Sequence, residues 1–132
     1  MPLLRNATLA LAALAIAWPA AQPRAGDALA GSSWTILAIS GDAADKAGTL
    51  AFNDGKLAGK AACNRYFASY EASDDTITVG LVGATRMMCP AIALEQKLFD
   101  ALAAVRKHRR DGANLVLSDA AGEALLVLAP AP

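Results

Sequence analysis

Through most of this chain the apolar residues come in short runs broken by turn residues. Once only, from Ala91 to Val105, do they fall at helical spacing. That single switch of period limits the fold to strands joined by tight turns with one long helix among them. The strand signal is clearest where Thr49-Leu50-Ala51-Phe52 meets Asn53-Asp54-Gly55 and Lys56-Leu57-Ala58-Gly59-Lys60-Ala61 leads away. Asp-Gly between two short strands is a favoured hairpin turn, because both residues reach positive φ at low cost. A second hairpin is predicted from Tyr66–Glu71 through Ser73-Asp74-Asp75 to Thr76–Leu81, with Ile77, Val79 and Leu81 sharing one face. Trp34–Ile39 reads as an earlier strand with Trp34, Ile36 and Ala38 on one side, and Gly41–Gly48 as a polar turn. Asn114–Ser118 and Ala124–Leu128 read as the closing pair.

In the helical stretch Leu94, Leu98, Phe99, Leu102 and Val105 form the apolar stripe. Glu95 near its start and Arg106 and Lys107 at its end match the helix dipole. Strand hairpins, one helix and a final hairpin predict an α+β domain, with a mainly antiparallel sheet curved against the helix.

The first residues do not belong to that pattern. Met1–Asn6 carry one charge, Arg5, and Ala7–Trp18 is an almost unbroken apolar run followed by Pro19-Ala20-Ala21. A basic start, a short apolar stretch and a small-residue exit predict a secretory signal peptide over 1–21. Ala28-Leu29-Ala30 is a second small-x-small site, farther from the apolar run. Gln22–Ser32 then reads as a flexible lead-in, and 33–129 as the domain. No cysteine precedes Cys63, so no lipid anchor is expected at the cleavage site and the mature chain is expected to be soluble, periplasmic or secreted. Removing 1–21 takes away Arg5 alone among the charges, which leaves 11 basic against 12 acidic residues. That balance does not point to nucleic acid or an anionic membrane as the main partner.

The two cysteines, Cys63 and Cys89, read as a disulfide in an oxidising compartment. The alternative is a free-thiol or metal pair. It has little support, since there is no C-x2-C spacing and His108 is the sole histidine. His108 also lies inside Arg106-Lys107-His108-Arg109-Arg110, an unpromising place for a catalytic base, and no G-x-S-x-G elbow, H-E-x-x-H motif or P-loop occurs. No metal or cofactor is expected. The basic run itself, Arg106, Lys107, Arg109 and Arg110, is either an anion contact or a solvated helix end.

Two clusters remain, Gly59–Tyr66 and Ala84–Pro90, each with one cysteine and one arginine. A Cys63–Cys89 bridge would bring Asn64, Arg65, Thr85 and Arg86 together. These residues are then either local braces in a bend, with Asn64 satisfying backbone groups, or a small polar recognition surface.

The clusters resemble the META/HslJ family, whose pattern runs G-x-x-x-C-N-R, an aromatic-small-x-Tyr strand, then T-x-M-x-C and a helix. The matching stretches are Gly59–Arg65, Phe67–Tyr70 and Thr85–Pro90, and Trp34 and Leu115-Val116-Leu117 match as well. Ala61-Ala62 stands where Gly-Gly is usual. The resemblance implies a curved, barrel-like antiparallel sheet with one helix. It also implies a link to heat shock, novobiocin resistance and the bacterial envelope, without an established catalytic activity. The expected protein is therefore a non-enzymatic, monomeric envelope module that binds an envelope protein or a small ligand, or protects the envelope under stress. Two alternatives stand beside it. One is a carrier of a lipid or small apolar ligand inside the sheet, where Ala51, Ala58, Ala61 and Ala68 leave room. The other is thiol redox chemistry at Cys63 and Cys89.

Overall fold

A computed structural model describes residues 28–132, so the expected signal peptide lies outside the described residues. Ten strands and one helix follow in order: β1 (Ser33–Ile39), β2 (Asp42–Ala43), β3 (Thr49–Asn53), β4 (Lys56–Lys60), β5 (Arg65–Ser73), β6 (Thr76–Val79), β7 (Gly83–Ala84), α1 (Ile92–Ala104), β8 (Lys107–Asp111), β9 (Asn114–Ser118) and β10 (Ala124–Pro130). Every pairing is antiparallel. The strands run β10-β9-β8-β6-β5-β4-β3-β1, and β1 pairs again with β10, so the curved sheet closes on itself as a ring. The expected α+β class, mainly antiparallel with one helix, is what the chain adopts.

Turn chemistry sets the hairpins. Asp54 and Gly55 both take positive φ (47° and 82°), and the turn places Phe52 opposite Leu57. Alternation then sends Leu50, Phe52, Leu57, Tyr66, Ala68 and Tyr70 inward, and Phe52 and Tyr70 meet edge to face at 5.0 Å. The helix adds Leu98, Ala101 and Leu102 to the same core. Each fully buried large side chain contributes about 1.5–3 kcal/mol. Ala61 and Ala68 are buried among these larger side chains, whereas Ala58 is exposed and Ala51 half-exposed on the outer face. The interior is therefore occupied by aromatic and branched side chains, which removes the argument for a ligand carried inside the sheet.

Four expectations need correction. The basic run 106–110 is not a helix end. Val105 is extended, α1 stops at Ala104, and Lys107–Asp111 is β8, a full strand between β6 and β9 that closes the ring. Leu81 does not share the face of Ile77 and Val79. Val79 pairs with Tyr70 but Gly83 pairs with Phe67, one residue out of register, and the resulting bulge turns Leu81 outward to 98% exposure. A similar extra residue in β1, between Ile36 and Ala38, leaves Leu37 outside and brings Ile39 rather than Ala38 into the core. Finally, the described end of the expected flexible lead-in is docked. Leu29 is buried in the core, and the Gly31 amide donates to Phe52 O at 2.8 Å.

Candidate functional site

Where β4 bends into β5, the chain passes Cys63 and Asn64, and Cys63 is disulfide-bonded to Cys89 with the Cα atoms 6.0 Å apart. The bond ties this bend to the segment that leads into α1. Between the tied segments Asn64, 1% exposed, spends its whole side chain. Its Nδ2 donates to Glu95 Oε2 at 2.7 Å and to Met87 O at 3.0 Å. Its Oδ1 accepts from the Met87 amide at 2.7 Å and from the Thr85 hydroxyl at 3.0 Å. Thr85 Oγ1 accepts in turn from the Arg65 amide at 3.1 Å.

Glu95 is the other centre of this network. It is 3% exposed, and its Oε1 accepts from the amides of Asn64 (2.7 Å) and Cys63 (3.2 Å). A buried carboxylate is costly unless its oxygens are hydrogen-bonded. Here amide donors supply that compensation, and no ion pair to Glu95 is present among the described residues. In the sequence Glu95 reads only as a dipole-matching helix residue. Its signal is positional: Glu95, Leu98 and Leu102 lie at i, i+3 and i+7, so the acid sits on the buried stripe.

The first residue of the pattern has an equally local reason. A Cβ on Gly59 would collide with the Thr49 carbonyl and the Tyr66 hydroxyl, so only glycine fits. Tyr66 Oη donates to Thr49 O at 2.6 Å, its ring meets Phe99 edge to face at 5.6 Å, and burial pushes the phenol pKa upward. Neither Ala61 nor Ala62 takes positive φ, so the bend accommodates alanines where glycines are usual.

The network floors a cleft of about 380 Å³ between α1 and the Val82–Met88 segment. Asn64, Thr85 and Glu95 are its polar lining, Arg86 and Gln96 stand beside them, and Val82, Met87, Met88, Ile92 and Phe99 are among its apolar walls. Of the four residues expected to converge, Asn64, Thr85 and Arg86 line the cleft. The Arg65 backbone is tied to Thr85, and both arginine side chains are exposed.

The basic run is dispersed rather than massed. Arg106 Nη1 donates to the carbonyls of Ala103 (3.0 Å) and Val105 (2.6 Å) at the end of α1. The Arg110 guanidinium lies 4.7 Å from the Trp34 ring centroid. Lys107 and Arg109 are exposed, and Arg109 pairs with Val116 in the ladder. Among the described residues His108 Nε2 is buried without a hydrogen-bond partner, and burial holds its pKa below the usual value, with Asp75 opposing the effect and Arg110 adding to it.

The fold is shared with solved structures. A protein from Burkholderia xenovorans, solved by NMR, superposes with a TM-score of 0.64 at 22% identity, over 86% of this chain and 94% of its own. A DUF4847 family protein from Bacteroides vulgatus, solved by crystallography, gives 0.61 at 14% identity, over 78% and 94%. A further protein solved by NMR gives 0.61 at 18%, over 77% and 91%. No curated protein matches. The META domain model matches residues 27–132, a span that holds the Cys63–Asn64 bend, the Thr85–Cys89 segment and α1 together. The chain belongs to the META domain family.

Proposed function

We propose that this chain is an exported, non-catalytic envelope module that binds a ligand or partner segment in the cleft between α1 and Val82–Met88 and protects the envelope under stress. The observation that carries the reading is how the cleft divides its groups. The buried polar side chains, Asn64 and Glu95, are spent on each other and on backbone amides and carbonyls, whereas Met87 and Met88 are 63% and 82% exposed. Such an arrangement favours recognition: a rigid hydrogen-bonded floor with adaptable thioether walls. Both thiols are held in the bridge and the only histidine is on β8, so a thiol–imidazole pair is not available in the cleft. The apolar start of the chain supports export, and a half-exposed disulfide suits an oxidising compartment.

Complementation tests the reading. In cells deleted for the gene, the wild-type chain is expected to restore survival to heat and novobiocin. Gln96→Trp fills the cleft from an exposed position on α1 and is expected to fail while melting with the wild type. Full protection by a folded Gln96→Trp chain would remove the cleft from the function.

A further inference from the structure

The outer face of β4, β5 and β7 has a composition that the near-zero net charge conceals. Cross-strand partners point to the same side, and the register sets out three rows on this face. Lys56 lies opposite Ser69, Ala58 opposite Phe67 with Gly83 beyond it, and Lys60 opposite Arg65. Lys56, Ala58, Lys60, Arg65, Phe67 and Ser69 are all exposed. Phe67 is 66% exposed and covers Gly83, where a Cβ would strike its ring. The β-bulge between Val79 and Gly83 leaves Leu81 98% exposed, next to Gly80, where a Cβ would meet Ser69 Oγ. Three cations, Lys56, Lys60 and Arg65, therefore flank the protruding Phe67 and Leu81. By register the neighbouring carboxylates are Asp54 in the hairpin turn and Glu71 beyond Ser69, both at the end away from Arg65, and Asp45 lines a surface pocket with Lys60 at the other end.

We propose that this face docks on an anionic phospholipid surface, with Leu81 and Phe67 entering the interface and Lys56, Lys60 and Arg65 contacting headgroup phosphates. The proposal rests on the envelope-binding reading and names a partner class for it. Charge complementarity selects an anionic partner. Shape selects a bilayer, because the outside of a closed sheet is convex, and a lone leucine on a bulge suits a deformable interface. A soluble polyanion would contact the cations and leave Leu81 in water. The surface is one of contact only, and α1 is too short to cross a membrane.

Vesicle flotation with the chain as purified after export tests this. Phosphatidylglycerol-rich vesicles are expected to bind the protein and phosphatidylcholine vesicles to leave it free, with binding weakened by salt. Each cation near an anionic surface is worth about fivefold in partition, so Lys60→Glu/Arg65→Glu is expected to lower it by at least about 25-fold. Leu81→Asp is expected to release the protein from vesicles without altering its melting, since the side chain touches solvent only. All variants share one N-terminus, so any contribution from that segment cancels. No binding to either vesicle, or binding that both variants leave unchanged, overturns the proposal. So does equal retention on a polyglutamate matrix that Leu81→Asp does not weaken, which assigns the face to soluble polyanions. Gln96→Trp lies outside this face and is expected to float like the wild type, so failure of the cleft and failure of the lipid face are read separately.

Discussion

Replacing Asn64 with alanine removes four side-chain hydrogen bonds at once: those to Glu95 Oε2 and Met87 O, and those from Thr85 Oγ1 and the Met87 amide. The bond to the buried carboxylate is worth about 1.5–3 kcal/mol, and the three neutral ones about 1 kcal/mol each. Water reaches the Thr85 and Met87 ends, because both residues are exposed on the cleft side, and recovers part of the neutral contribution. The loss expected for Asn64→Ala is then ~3–4 kcal/mol, a large share of the roughly 5–15 kcal/mol typical of a domain. For a chain of this size that lowers the melting temperature by on the order of 15 °C. Thermal and urea unfolding followed by circular dichroism, with the disulfide confirmed intact, gives the number. Asn64→Asp sharpens the test. It keeps the shape but turns a donor into an acceptor facing Glu95 Oε2 and Met87 O, so it is expected to cost at least as much. A loss below about 1 kcal/mol in both variants, the range of ordinary surface changes, would refute the network as the brace of the site.

Three further outcomes follow from the same geometry. Gly59→Ala drives a methyl into the Thr49 carbonyl and Tyr66 hydroxyl, and a cost of about 3 kcal/mol is expected in urea unfolding. Reducing Cys63–Cys89, which are 26 positions apart, is expected to lower stability by roughly 3–4 kcal/mol in the chain-entropy model, read as a lower melting temperature in reductant. His108 is harder to protonate folded than unfolded, so its contribution to stability is present above pH 6.5, the unfolded value, and is lost as pH falls below it toward the folded pKa. Melting of His108→Leu compared with wild type from pH 8 to pH 5 is expected to show a shallower fall for the variant, and parallel curves would contradict the burial of Nε2.

Much of the architecture was legible in the residues. The Asp54-Gly55 turn, the alternating strands and the one helical period predict the hairpins and α1 because each rests on local backbone preference. What escaped depended on partners distant in sequence. β8 is five charged or basic residues, and no periodicity marks it as a strand. It becomes one because β6 and β9 leave unpaired edges on either side of it. Leu81 and Ile39 depart from the alternation in sequence, because bulges set by register with neighbouring strands turn Leu81 outward and Ile39 inward. At the site, Cys63–Cys89 and the bracing role of Asn64 are visible as motif residues. Glu95 is hidden because its importance lies in the amides it meets 31 and 32 positions away.

The central claim is that the motif residues around Cys63 and Asn64 fasten the cleft together by buried hydrogen bonds. Amide hydrogen exchange at Asn64 and Met87 tests it most directly, since both amides donate to buried side-chain acceptors, Glu95 Oε1 and Asn64 Oδ1. The account predicts that both exchange as slowly as the β4 and β5 amides, although the Met87 side chain is largely in solvent, and that Glu95→Ala releases both. Exchange at Met87 as fast as in an open loop, in the wild-type oxidised protein, would contradict it.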